Sequence, residues 1–213
     1  MATLKDNETP HDYRIKLDEK EIQLFKDNNV KNILEVCSGD GRNLVGLKKI
    51  GFDMIGIENP QFLNKSLTKN SNIQVIEHPI FDEKFPFDDE EFDCVYSYQY
   101  LNHNFKNKIK DLFKEIFRVL KKDGIFSIKI SDMDQFNLKH IKEDIYEEGD
   151  PEFPSIKFRK LGEQTFAKLE GDEKDIPHYA FYKNELIESL QKIGFKLVNI
   201  RIIRWNIVGN FTK

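Results

Sequence analysis

Short apolar runs alternate with helical periods along most of the chain, and this alternation restricts the fold more than any other feature. Five runs rich in Ile, Val and aromatic residues predict strands covered on both faces: 32–37, 53–58, 73–77, 92–98 and 124–131. Helical periods follow at 44–50, 62–69, 107–121 and 184–193. This order predicts an α/β fold with a doubly wound, mostly parallel, Rossmann-like sheet. Runs 195–203 and 205–211 complete seven strands as an antiparallel edge pair.

The chain has 213 residues, enough for one domain with a substantial core, so we predict a single domain over 1–213. Residues 1–30 are expected to form an N-terminal helical segment, with Asp18 capping its helix. Residues 132–183 break the alternation and contain a predicted hairpin around Gly162. An insertion of this length typically covers or shapes a site, so we expect it to be a cap within the domain.

Composition excludes several classes of protein. The 33 basic and 37 acidic residues are mixed, giving a net charge of −4 without a basic stripe, so no nucleic-acid partner is predicted. No apolar run approaches the roughly 20 residues of a membrane span, and the first ten residues lack a signal-peptide core. These features predict a cytoplasmic protein without a membrane partner. Cys37 and Cys94 fall at predicted buried strands and are expected to be reduced core thiols.

The stretch ILEVCSGDGRN places a Gly-x-Gly turn directly after the first predicted strand. Gly39 and Gly41 allow a tight turn and close approach of the backbone to a ligand, and Glu58 ends the next strand, where a carboxylate can accept bonds from ribose hydroxyls. The alternative is a tight strand-to-helix turn with a solvated acid nearby. The constellation favours a nucleoside. Leu44 stands where the dinucleotide fingerprint has a third glycine, which favours S-adenosylmethionine over NAD.

Five stretches resemble, in order, the motifs of the class I S-adenosylmethionine-dependent methyltransferases. ILEVCSGDGRN is similar to the first motif of that family and GIENP to the second. FPFDDEEFDCVYSYQYLNH resembles the third-to-fourth motif segment, and LFKEIFRVLKKDGIFSIKI the following helix and fifth strand. HYAFYKNELIESLQKIGFKLVNI is similar to the late helix and sixth strand. The resemblance covers residues 30–131 motif by motif and 178–213 more loosely.

The resemblance implies a set of cofactor-binding residues. Cys37 is a departure, because the family usually has a glycine there and a side chain must be accommodated beside the methionine portion. A reactive cysteine and a small apolar filler are the two interpretations of it. The implied contacts are Glu35, Cys37, Gly39 and Gly41 for the methionine portion, Glu58 and Asn59 for the ribose, Phe81 and Asp82 for the adenine, Ser97, Tyr98 and Tyr100 beneath the sulfonium, and Tyr13 and Arg14 from the N-terminal segment.

The acceptor side is predicted from position. His103, His178 and Tyr179 are the candidate catalytic residues; the alternatives are a surface histidine at 103 and a packed aromatic hinge at 178–179. The segment after the fourth strand lacks the Asn/Asp-Pro-Pro-aromatic element of base methyltransferases. We therefore expect a small-molecule acceptor and a monomer or weak homodimer. The five histidines show no metal-ligand spacing, so no metal is predicted.

Two other functions stay open at this stage. The first is a protein or peptide methyltransferase that uses the insertion as its docking groove. The second is a regulatory module that binds S-adenosylmethionine without catalysis, which the departure at Cys37 keeps open. Turnover distinguishes the second from an enzyme, because a binding module would release no S-adenosylhomocysteine.

Overall fold

The structure is a computed structural model, and it describes residues 18–63, 72–136, 138–150, 153–171 and 173–213. These ranges form four α-helices and twelve strands in two sheets. The helices are α1 (Glu19–Asp27), α2 (Arg42–Lys49), α3 (Lys106–Val119) and α4 (Lys183–Gln191). The strands are β1 (Asn32–Val36), β2 (Asp53–Glu58), β3 (Gln74–Glu77), β4 (Phe92–Tyr98), β5 (Leu120–Ser131), β6 (Leu138–Lys142), β7 (Ile145–Asp150), β8 (Phe153–Gly162), β9 (Thr165–Lys168), β10 (Pro177–Tyr179), β11 (Lys196–Ile203) and β12 (Asn206–Thr212).

The larger sheet is the predicted seven-stranded one, in the order β11-β12-β5-β4-β1-β2-β3. Strands β1 to β5 pair in parallel, whereas β12 is antiparallel to both β5 and β11. The strand order reverses between β1 and β4. In doubly wound sheets ligands bind at such a reversal, outside the carboxyl ends of the strands. The residues that follow β1 and β4 are therefore placed to form a site.

The helices confirm the predicted pattern, with small changes in their bounds. Asp18 caps α1, because its carboxylate accepts a bond of 2.9 Å from the backbone N–H of Lys20. Helix α3 ends at Val119, two residues before the predicted end, since Leu120 is already extended and pairs with Phe92 as the start of β5. The helix predicted at 62–69 falls mainly on residues 64–71, which lie outside the described ranges.

Apolar side chains cover both faces of the larger sheet. On one face Leu34, Val95 and Phe126 pack with residues of α3 and α4. On the other face Ile33 and Cys94 pack with residues of α1 and α2. Both cysteines are buried free thiols, as predicted. The continuous apolar runs thus reflect strands buried on two sides.

The insertion folds into a second, antiparallel sheet in the order β10-β9-β8-β7-β6. The predicted hairpin around Gly162 is the β8–β9 pair, in which Gly162 is opposite Thr165. The insertion leaves and rejoins the larger sheet at adjacent residues. The backbone N–H of Phe181 donates to Ser131 O at 3.0 Å, and the N–H of Met133 donates to Phe181 O at 2.9 Å. Two backbone hydrogen bonds therefore join the two ends of the insertion.

Candidate functional site

The glycine turn follows β1 and leads directly into α2. Gly39 and Gly41 have φ angles of 55° and 81°, in the left-handed region that favours glycine. Gly41 occupies the N-cap position of α2 and provides no side-chain cap. A Cβ added at Gly39 would lie 3.6 Å from the ring of Tyr100. The turn thus exposes backbone rather than side chains to a ligand.

Cys37 occupies the same left-handed region, with a φ of 60°. Its backbone N–H donates to Ile57 O at 3.0 Å, which holds the turn against β2. Burial raises the pKa of the Cys37 thiol well above its ordinary value, and the nearby carboxylates of Glu58 and Glu35 add to the shift. A protonated buried thiol is a poor nucleophile. The structure therefore favours the small apolar filler, held at a conformation that costs a non-glycine residue about 1–2 kcal/mol.

Glu58 ends β2 beside the turn and is buried. One carboxylate oxygen accepts a bond of 2.7 Å from the backbone N–H of Gly39, and the other accepts one of 2.7 Å from the N–H of Asn59. Burial raises the pKa of Glu58 to about 7, although these two bonds oppose the shift. The carboxylate fixes the turn and retains free lone pairs for further donors.

Glu35 lies within β1 and is also buried. Its Oε1 accepts a bond of 2.8 Å from the side-chain amide of Asn43 in α2, while its Oε2 has no partner among the described residues. Burial raises the pKa of Glu35 to about 8, despite the bond from Asn43. The hydroxyl of Ser38 is likewise buried without a partner in the described part of the chain. Polar atoms without partners beside the turn suit a ligand that carries hydrogen-bonding groups.

The residues at the end of β4 divide between the two faces of the sheet. The Ser97 hydroxyl donates to Val36 O at 2.7 Å, next to the turn. Tyr98 points to the opposite face, where its ring stacks on Tyr96 with centroids 4.2 Å apart, in the cluster that contains Phe25 of α1. Tyr100, after the strand, lies beside Gly39. Successive strand residues face opposite sides of a sheet, so Ser97 lies beside the turn and Tyr98 lies in the core. Tyr100 follows the strand and flanks the turn as well.

The predicted adenine residues follow β3. Phe81 is partly buried against the core. Asp82 is exposed, and its Oδ1 accepts a bond of 2.6 Å from Lys108 Nζ of α3. An exposed acid that is already paired is a weaker candidate for a buried base. Tyr13 and Arg14 lie outside the described residues, so their cofactor contact stays a prediction.

His103 and His178 come together although they lie far apart in the sequence. Their ring centroids are 4.4 Å apart, and the His103 and Tyr100 centroids are 5.0 Å apart with the two rings nearly perpendicular. Burial lowers the pKa of His103 to about 3, and the neighbouring His178 contributes to the shift. The segment after β4 and the second sheet therefore meet beside the glycine turn.

Glu173 completes this histidine pair, and sequence reasoning missed it. Its Oε2 lies 3.3 Å from His178 Nε2, and its Oε1 lies 3.9 Å from His103 Nε2. Burial alone would raise the pKa of Glu173, but His178, His103 and Lys168 together lower it below its ordinary value. The sequence contains no signal for this role, because Glu173 stands in a charged stretch without periodicity.

Tyr179 neighbours His178 in sequence but is directed elsewhere. Its hydroxyl donates to Glu185 Oε1 of α4 at 2.7 Å, and its ring packs against Phe181 with centroids 4.7 Å apart. Its backbone N–H donates to Asn102 O at 2.8 Å. Burial and the bond to Glu185 raise the pKa of Tyr179 above its ordinary value. These contacts favour the packed hinge over a catalytic phenol.

Comparison with known proteins agrees with this geometry. Residues 34–128 match a family described as "Methyltransferase domain". A protein from Pyrococcus horikoshii is 20% identical over 90% of this chain and 86% of its own, with a TM-score of 0.68. An S-adenosylmethionine-dependent methyltransferase from Clostridium acetobutylicum is 14% identical over 91% of this chain and 89% of its own, with a TM-score of 0.64.

A third structure was solved with its ligands bound. It is the 1,6-didemethyltoxoflavin-N1-methyltransferase of Burkholderia thailandensis, with 1,6-didemethyltoxoflavin and S-adenosylhomocysteine. It is 14% identical over 99% of this chain and 93% of its own, with a TM-score of 0.60.

The strand order, the glycine turn with its buried acid and the matched domain define a class of protein. Residues 34–128 form a methyltransferase domain, and the larger sheet has the fold of solved S-adenosylmethionine-dependent methyltransferases, with S-adenosylmethionine as the cofactor. The residues present fit that cofactor, since Glu35 Oε2 and Ser38 Oγ are buried polar atoms beside the turn that have no partner among the described residues. Among the helices of the described ranges, none combines the length and apolar character needed to cross a bilayer.

Proposed function

We propose that this methyltransferase transfers the methyl group to a small molecule bound between the glycine turn and the second sheet. One observation carries the proposal. Tyr100 lies beside Gly39, its ring packs against His103, and His103 packs against His178 of β10. This row of side chains connects the cofactor turn to the insertion. A small aromatic acceptor in the Burkholderia structure, which shares this fold, supports the same class of substrate.

We propose that the cofactor-binding residues are those adjoining the turn. Glu35 and the backbone from Cys37 to Gly41 would hold the methionine portion, and Glu58 with the Asn59 backbone the ribose. Phe81 and Asp82 are proposed for the adenine, and Ser97 and Tyr100 for the region of the sulfonium. The contact of Tyr13 and Arg14 with the cofactor remains part of the proposal.

The sulfonium supplies a methyl group that is already activated, so the residues of the chain chiefly orient the acceptor and exclude water. His103 is neutral near pH 7 because its pKa is about 3, and it is therefore suited to hydrogen bonding the acceptor rather than to removing a proton. The second sheet is proposed to close the site, because it brings His178 to within 4.4 Å of His103, centroid to centroid. A cytoplasmic location and a monomeric or weakly dimeric state stay predictions.

Calorimetry and turnover test the proposal. The purified chain should bind S-adenosylhomocysteine and show no heat with NAD. A pool of small aromatic and hydroxylated acceptors, incubated with S-adenosylmethionine, should yield S-adenosylhomocysteine and one methylated product identified by mass spectrometry.

Three other results would contradict the proposal. Binding of NAD alone would remove the methyltransferase assignment. Binding without turnover on any acceptor pool would favour the regulatory module. Methylation of peptides but of no small molecule would favour the peptide enzyme.

A further inference from the structure

The ring nitrogens of His103 and His178 converge with the carboxylate of Glu173. One ligating atom from each residue can be chosen so that all three lie within 4.8 Å of one another. The residues come from the segment after β4 and from the end of the insertion, so their spacing along the chain gives no sign of a shared site. The side chains of His103 and His178 are only 8% and 12% exposed.

The tautomer of His178 is set by its own backbone neighbour. His178 Nδ1 lies 2.8 Å from Ile176 O, and a carbonyl oxygen only accepts, so Nδ1 carries the hydrogen. In the neutral ring Nε2 then directs a lone pair toward Glu173, 3.3 Å away. A lone pair facing a carboxylate is repulsive; Lys168 Nζ at the same oxygen offsets part of this repulsion, and a cation bound at Nε2 would convert it into attraction. Histidines that bind metals typically have this arrangement, with Nδ1–H bonded to a carbonyl and Nε2 free for the ion.

The spacing of the three groups fits one ion. Two ligands that bind a tetrahedral ion at about 2.0–2.1 Å lie about 3.3 Å apart. Glu173 Oε2 lies 3.3 Å from His178 Nε2, and Glu173 Oε1 lies 3.9 Å from His103 Nε2, so the three side chains have to move slightly closer together around one ion. Lys168 Nζ contacts Oε2, so Oε1 is the oxygen open to the ion, and a turn of the carboxylate has to bring Oε1 toward His178 Nε2.

We propose that His103, His178 and Glu173 bind a divalent first-row transition metal ion beside the acceptor. Two imidazoles and one carboxylate are a ligand set that suits Zn²⁺, Fe²⁺ or Co²⁺. Three protein ligands leave a coordination position open, as in catalytic zinc sites. Tyr100 contacts both His103 and the Gly39 position, so an ion here would lie near the glycine turn, and on the proposed function its open position would take an oxygen of the acceptor. Only that last step rests on the proposed function, because metal binding itself does not require it.

The test is titration of the full chain, stripped with chelator, with Zn²⁺ by calorimetry and with Co²⁺ by visible absorption. We expect one ion per chain and ligand-field bands of a four- or five-coordinate Co²⁺. Changes to outer-shell residues cost about 10- to 100-fold in metal affinity, so His178→Ala and Glu173→Gln, which remove ligands, should each cost more than about 100-fold. His140→Ala is the matched control, since His140 is an exposed histidine of the same insertion.

Several outcomes would overturn the site. One is absence of Zn²⁺ and Co²⁺ binding, which would show that Glu173 is balanced by its neighbouring side chains and not by a metal ion. Another is a loss of binding in His140→Ala equal to that in His178→Ala, which would indicate adventitious surface binding. Melting temperatures show that each variant is folded, and Glu173→Gln, at a partly exposed position, serves if His178→Ala does not fold.

The same samples are titrated with S-adenosylhomocysteine. If the chain binds S-adenosylhomocysteine but no metal ion, the metal site is rejected and the proposed function stands. If it binds a metal ion but no S-adenosylhomocysteine, the proposed function is rejected and the metal site stands.

Discussion

Cofactor affinity should depend on pH through Glu58, the acid proposed to bind the ribose, because the pKa of its carboxyl group is raised toward neutral pH. Burial raises its pKa to about 7, and both of its oxygens already accept backbone N–H bonds of 2.7 Å. Ribose hydroxyls add further donors, which favour the ionised form. Binding should therefore lower the pKa of Glu58, release a proton and become tighter as pH rises.

The magnitude follows from the fraction of the carboxyl that is protonated in the free chain. With a pKa of about 7, about nine tenths are protonated at about pH 6. Affinity at that pH should be about 11-fold below its high-pH limit, a difference of about 1.4 kcal/mol, and at about pH 7 it should be about twofold below. Glu58→Gln should weaken binding by about 1.5–3 kcal/mol and abolish this pH dependence, because the amide does not ionise.

Calorimetry with S-adenosylhomocysteine between about pH 5.5 and 7 measures the slope of affinity against pH. Glu35 contributes little to this slope, because it ionises only near its pKa of about 8. Repeating the titration in buffers of different ionisation enthalpy counts the released proton. Glu35→Gln is the matched control, and it should keep the slope in this range. A pH-independent affinity in the unmodified chain, or a slope unchanged in Glu58→Gln, would refute the reasoning.

Three further predictions concern stability and turnover. The pKa of Glu35 rises from 4.5 to about 8 on folding, so its stabilising contribution is complete below about pH 4.5 and is lost as pH rises through 8. Chemical denaturation at several pH values should show this loss of stability, and the loss should be absent in Glu35→Gln. The free energy of unfolding of Cys37→Gly should exceed that of Cys37→Ala by about 0.5–1 kcal/mol, since alanine keeps the strain of the left-handed conformation. Equal stability of the two variants would contradict that strain. Tyr179→Phe should lose about 1–2 kcal/mol of stability with its bond to Glu185, while methyl transfer per folded molecule is unchanged; a selective loss of transfer would restore the catalytic role.

The larger sheet was predictable because its central strands are covered on both faces. Runs such as 32–37 and 92–98 are continuous and apolar for that reason, and the glycine turn with Glu58 could be located from them. Most of the second sheet could not be predicted this way. Strand β6 is largely exposed, so its residues show no apolar alternation. Only the β8–β9 hairpin gave a signal, through Gly162.

The backbone conformation of the glycine turn could be predicted, because residue type determines it. Gly39 and Gly41 have the φ angles that their residue type indicates. Tyr98 was grouped with Ser97 and Tyr100 because the motif is contiguous, whereas strand alternation directs Tyr98 into the core. Glu173 depends on a contact between distant segments, and one sequence contains no record of that contact.

The paired ends of the insertion make it a replaceable module. Because the backbone N–H of Phe181 already donates to Ser131 O, exchanging the chain between these two residues keeps that bond at the junction, and the new segment has to replace only the bond that Met133 donates to Phe181 O. The free energy of closing a loop also grows only slowly with its length. Evolution can therefore exchange the second sheet while the larger sheet with its glycine turn is inherited intact. An engineer can use the same junction to graft a new recognition surface.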